Sequence, residues 1–88
     1  MMPEESVLRF PCRFPIKVMG EIYANIDELV RQTLQAHLKT LDQVEFQSRT
    51  SKAGNYVSIT AIFTAESQDQ LDRIYTVLSQ HEKVKYVL

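Results

Sequence analysis

Residues Tyr56 to Thr64 alternate without a fault between two side-chain sets. Val57, Ile59, Ala61 and Phe63 form an apolar row. Tyr56, Ser58, Thr60, Ile62 and Thr64 form the other. A strand turns successive side chains to opposite faces, so this run reads as a strand with one face buried. Its flanks extend the constraint. Ser51-Lys52-Ala53-Gly54-Asn55 before it is a hairpin turn, with Gly54-Asn55 tolerating positive φ. The preceding strand is then Val44-Glu45-Phe46-Gln47-Ser48-Arg49-Thr50, paired antiparallel, with Val44 and Phe46 inward. Ser67-Gln68-Asp69-Gln70 after it is a capping box that opens a helix. Leu71, Ile74, Tyr75 and Leu78 form the apolar stripe of that helix.

The outer elements follow the same reading. Phe14 to Met19 alternates and forms the first strand, with Pro15 delaying regular pairing to about Ile16. Gly20 ends that strand, in a place where a positive φ is easy. Asn25-Ile26-Asp27-Glu28 is a capping-box-like start to the first helix. Ile26, Leu29, Val30, Thr33, Leu34, His37, Leu38 and Leu41 give it one apolar stripe. Lys83 to Leu88 is the last strand, with Val84, Tyr86 and Leu88 inward.

The order is strand, helix, strand, strand, helix, strand. Right-handed crossovers close it as a ferredoxin-like βαββαβ sandwich of the α+β class. The expected strand order is 4-1-3-2, antiparallel, with both helices on one face. Strands fall near 14–20, 43–51, 55–64 and 83–88, and helices near 25–40 and 67–80. Residues 1–12 read as an N-terminal arm, with Val7, Leu8 and Phe10 packing on the domain, and 13–88 as one domain. The expected core holds Ile16, Val18, Leu29, Leu34, Phe46, Val57, Ile59, Phe63, Leu71, Ile74, Leu78 and Val84.

Composition bounds the function. With 88 residues, 44% hydrophobic and 24% charged, the chain is an ordinary globular domain with a small core. A pI near 6.1 argues against nucleic acid as a partner. Cys12 is the single cysteine, which excludes an internal disulfide and fits a reducing compartment. The start, Met1-Met2-Pro3-Glu4-Glu5, lacks the marks of a signal peptide, and no apolar run is long enough to span a membrane. The expectation is a cytoplasmic protein without a membrane role.

The residue types argue against catalysis and against a cofactor. Cys12, His37 and His81 show no metal-ligand spacing. Cys12 has no marked base beside it, only Arg13. The Ser51–Asn55 turn with Arg49 and Lys52 lacks the phosphate-loop spacing. RNA-recognition modules share the topology, but the central strands carry only Tyr56 as an outward ring. No catalytic, cofactor-binding or metal residue is therefore assigned, and the chain is not read as an enzyme.

Charge segregation points elsewhere. Arg13, Lys17, Arg49, Lys52, Lys83 and Lys85 fall in or beside strands, whereas of the acids only Glu45 does. Glu21, Asp27, Glu28, Glu66, Asp69 and Asp72 lie in or before helices. The open sheet face is then basic. Lys17, Met19, Arg49, Ile62, Lys85 and Val87 form the candidate interaction surface, with Lys17 and Lys85 as neighbours. Apolar groups among positive charge suit a protein contact. The partner is an unknown protein, acidic in character, or a second copy of the chain. The alternative is small-molecule sensing of an amino acid or carboxylate at the loop carrying Gly20, Glu21 and Asn25.

Several stretches carry a resemblance. Phe10-Pro11 with Lys17-Val18-Met19-Gly20, Ser51 to Tyr56 leading into Ser58-Ile59-Thr60, Leu71 with Ile74-Tyr75 and Leu78, and the closing Val84-Lys85-Tyr86-Val87-Leu88 are similar to the YbeD-like family of small bacterial proteins. The resemblance covers about residues 8–88. Tyr86 departs from the methionine expected there. It implies a cytoplasmic bacterial protein with a ferredoxin-like, ACT-like fold and no established activity or catalytic residues. Some members are encoded beside lipoate-pathway enzymes, which hints at a regulatory partner.

Overall fold

The structure is a computed structural model and describes residues 8–88. Val7 and the acidic start at Glu4-Glu5 lie outside the described residues. The elements are β1 (Cys12–Glu21), α1 (Ile26–His37), β2 (Glu45–Thr50), β3 (Tyr56–Ala65), α2 (Gln68–Gln80) and β4 (Val84–Val87). They build the ferredoxin-like sandwich. The sheet order is β2-β3-β1-β4, every pairing is antiparallel, and both helices pack against one face.

β3 is the spine. It pairs with β1 over ten positions, from Cys12↔Ala65 to Glu21↔Tyr56, and with β2 from Glu45↔Ile62 to Thr50↔Val57. Its inward row, Val57, Ile59, Ala61, Phe63 and Ala65, is buried. Ile16 and Val18 continue that row on β1. Ile26, Val30 and Leu34 of α1 and Leu71, Ile74 and Leu78 of α2 close over it. Leu29, Phe46 and Val84 are half-buried at the margin of the core, and Ile26 and Val30 hold its centre. The buried residues of α1, Ile26, Val30, Thr33 and Leu34, all belong to the expected stripe, with Leu29 at its edge.

The two helix starts differ. On α2 the Gln70 N–H donates to Ser67 Oγ at 3.1 Å. Gln70 Oε1 in return accepts the Glu66 N–H at 2.8 Å, one residue earlier than a standard capping box. On α1 the expected box does not form. Asn25 sits in the left-handed region, at φ 53° and ψ 48°, and its side chain makes no cap hydrogen bond. Glu28 Oε2 instead accepts from Gln32 Nε2 at 3.0 Å. Asparagine is among the few residues that enter this region readily. The turn from β1 to α1 uses that freedom.

Gly20 lies within β1 and does not end it. Its φ is not positive, since Gly54 at φ 79° is the glycine that needs that freedom. Gly20 is required for space. A Cβ there would stand 2.3 Å from Ile26 Cδ1 and 2.7 Å from the Lys83 carbonyl oxygen.

That close approach goes with a bulge. Met19 pairs with Tyr86 but Gly20 pairs with Val84, so Lys85 has no partner in the ladder. The bulge reverses the parity of β4 beyond it. Val84 and Val87 pack against the core, whereas Tyr86 and Leu88 are exposed. The expectation that Tyr86 and Leu88 face inward is corrected by this one residue.

Tyr75 on α2 meets the Phe14 ring edge-on, with centroids 6.3 Å apart. Burial pushes its phenol above the ordinary range. A raised folded pKa means the fold favours neutral Tyr75. Its contribution is full below the unfolded pKa and is lost as pH rises through the folded one. Alkaline titration of stability should therefore show a loss that Tyr75→Phe lessens. An unchanged loss in that variant would assign it to other groups.

Candidate functional site

The face away from the helices is built by alternate residues of four strands. In register across β2, β3 and β1 it reads Glu45–Ile62–Pro15, Gln47–Thr60–Lys17 and Arg49–Ser58–Met19. β4 extends two of these rows. Tyr86 pairs with Met19, and Leu88 exchanges both backbone hydrogen bonds with Lys17, at 3.1 and 2.8 Å.

Lys17 and Arg49 converge on one shallow cleft of about 350 Å³, with Gln47, Ser58 and Thr60 between them. Met19 and Ile62 are half-buried on this face. Lys85 reaches it from the bulge, its Nζ 5.9 Å from the centroid of the Tyr56 ring.

Three expectations change. Val87 leaves the surface, because it pairs with inward Val18 and packs on the core. Lys17 and Lys85 are not neighbours, because the bulge puts Leu88 opposite Lys17. Glu21 joins the open face, because β1 runs through it to pair with Tyr56. Tyr86 and Leu88 are the residues that sequence reasoning missed. They are 47% and 64% exposed, which makes the apolar part of this face larger than expected.

Charge on the face is graded. Arg13 is held at one end. Its guanidinium donates to the Gln43 carbonyl at 2.8 Å, to Thr64 Oγ1 at 3.3 Å and to the Ile62 carbonyl at 3.2 Å. It also stands 3.9 Å from Glu45 Oε2. Lys17, Arg49 and Lys85 have no ion-pair partner among the described residues.

The residues expected at a ligand loop are not drawn into one cavity. Gly20 is filled in by Ile26 and the Lys83 carbonyl. Glu21 lines a cleft with Tyr23, Lys83 and Lys85. Asn25 lines a different one, of about 380 Å³, with Asp27, Arg31 and Phe46. Arg31 there stacks over the Phe46 ring at 4.1 Å.

The other candidates lie apart. His37 Nδ1 is 2.8 Å from the Thr33 carbonyl oxygen one helical turn back. His81 Nδ1 accepts the Lys83 N–H at 3.2 Å. Cys12 is half-buried against the core. No three His, Cys, Asp or Glu residues gather among the described residues. The hairpin turn spends its polar groups internally: Ser51 N–H on the Tyr56 carbonyl, Gly54 N–H on the Ser51 carbonyl and Tyr56 N–H on Ser51 Oγ. Among the described residues no helix is long and apolar enough to cross a membrane.

The fold and this face define a small α+β sandwich whose helices cover one side of a four-stranded sheet. The chain belongs to the YbeD-like family described as "Protein of unknown function (DUF493)", whose pattern matches residues 5–88. A UPF0250 protein of Neisseria gonorrhoeae is 40% identical over 83 residues, covering 94% of this chain and 91% of that one. A UPF0250 protein of a Janthinobacterium species is 40% identical over 86 residues, covering 98% and 94%. The solution structure of protein HP0495 from H. pylori superposes with a TM-score of 0.65 at 23% identity, over 100% of this chain and 96% of that one. That likeness shows the shared fold.

Proposed function

We propose that the chain is a non-catalytic interaction module that docks an acidic protein partner on its open sheet face. One observation carries the reading. Exposed Tyr86 and Leu88 and half-buried Met19 and Ile62 lie on a helix-free face among three cations, Lys17, Arg49 and Lys85, that have no ion-pair partner among the described residues. Apolar area supplies affinity there, and the cations select and steer an acidic surface. The reading extends to a regulatory role in the bacterial cytoplasm, exerted by occupancy and not by turnover. Small-molecule sensing has weaker support, because Gly20, Glu21 and Asn25 share no cavity.

The test is capture of partners on immobilised protein, comparing wild type with Lys17→Glu/Lys85→Glu. Reversing two exposed charges should weaken capture by about ten- to hundredfold while the melting temperature barely moves. Binding should also weaken as salt rises, since exposed charges are screened beyond about 8 Å at physiological ionic strength. Equal capture by wild type and variant would remove the open face from the account.

A further inference from the structure

The sheet has two edges, and they are finished differently. β4 spans four residues and is bulged at Lys85. Short and bulged edges resist adding another strand. β2 spans six residues, pairs with β3 without a break, and has neither proline nor bulge. The Ser51 N–H to Tyr56 carbonyl bond sets the phase of that ladder. Backbone groups alternate in direction along an antiparallel strand. Those of Glu45, Gln47 and Arg49 therefore turn toward β3, and those of Phe46, Ser48 and Thr50 turn to the free edge. α1 packs on β1 and β3, and beside β2 it leaves the cleft of about 380 Å³.

We propose that β2 pairs with the β2 of a second copy, antiparallel about a twofold axis through Gln47, to join two sheets into one of eight strands. The residue order is self-complementary in that register. Glu45 and Arg49 lie two residues either side of Gln47, both on the open face. Pairing about Gln47 sets each Glu45 opposite the Arg49 of the other copy, and each Phe46 opposite Ser48 on the helix side. The Phe46 and Ser48 backbone groups then meet as hydrogen-bonded pairs. A register two residues away sets Gln47 opposite Glu45 or Arg49 and loses both ion pairs. A one-residue slip would turn one open face over. Arg49 has no ion-pair partner among the described residues, and Glu45, 68% exposed, is held only by the 3.9 Å approach of Arg13. The pairing is independent of the docking reading. It would make the two open faces one continuous surface.

Sedimentation of the full chain across a concentration series tests it, with a monomer–dimer equilibrium expected. Arg49→Glu alone and Glu45→Arg alone should each weaken the dimer by about tenfold or more, and the two together should restore it. Ser48→Pro removes a free-edge N–H without touching the β3 ladder. It should give a monomer that melts as the dilute wild type does. In a Cys12→Ser background, Gln47→Cys should cross-link two copies on mild oxidation, because directly opposed positions of a non-hydrogen-bonded pair lie within disulfide reach. Arg49→Cys should not. A single-chain mass at every concentration overturns the proposal, whether or not another protein's strand takes the edge. So does a dimer that survives Ser48→Pro, or a Gln47→Cys variant that fails to cross-link.

Discussion

Gly20→Val should abolish the folded state, and Gly20→Ala should cost about 2–3 kcal/mol, the upper part of the usual overpacking range. A Cβ at this position meets Ile26 Cδ1 at 2.3 Å, Ile26 Cγ1 at 2.7 Å and the Lys83 carbonyl oxygen at 2.7 Å. Ile26 is 1% exposed and belongs to the core, so moving it disturbs packing that β1 and α1 share. The Lys83 carbonyl is backbone at the entry to β4, so displacing it breaks the pairing of Gly20 with Val84. A domain of 88 residues holds only about 4–13 kcal/mol in total. The branched side chain adds further clashes to that cost, enough together to exhaust the lower part of that range. Urea unfolding followed by circular dichroism checks both variants. A Gly20→Ala midpoint equal to wild type would mean that Ile26 and β4 yield without cost.

Phe63→Ala should cost about 3–5 kcal/mol, and Phe63→Leu less than about 1.5 kcal/mol. Phe63 is the largest fully buried side chain, at 0% exposed, and lies on the central strand. It packs against Phe14, with ring centroids 6.4 Å apart at 57°. Neighbouring β3 backbone cannot collapse into the vacated space, because β1 and β2 hold it on both sides. The loss should appear as a lower denaturant midpoint with an unchanged slope. A small loss with a shallower slope would show that the denatured state, and not the core, had changed.

Most of the fold was legible because its signals are local. Alternation along Tyr56–Thr64 requires a strand with one buried face, and Ser67 with Gln70 starts a helix whatever surrounds it. The misreadings sit where a tertiary contact decides. Val84-Lys85-Tyr86-Val87-Leu88 has apolar residues on both parities, so alternation alone does not choose a face. The bulge beside Gly20 makes the choice. A glycine inside a strand pattern is itself a signal of close backbone approach or a bulge. That signal could have placed Lys85 out of the ladder and turned Tyr86 and Leu88 outward. Asn25 followed the capping pattern but entered the left-handed region, since the path from β1 into α1 is set by where Ile26 must be buried. At the candidate face, Lys17, Met19, Arg49 and Ile62 followed from strand parity. Glu21 does not follow from parity in that way, because a glycine reads as a strand end and β1 runs one residue past Gly20.

The most direct test of the docking account is a footprint. Isotope-labelled protein is titrated with a captured partner and its amide resonances are followed. The account predicts that perturbations cluster on Lys17, Met19, Ser58, Thr60, Ile62 and Tyr86, and that Val30, Leu34, Leu71 and Leu78 beneath the helices stay still. Perturbations confined to α1 and α2, with the open face unmoved, would contradict it.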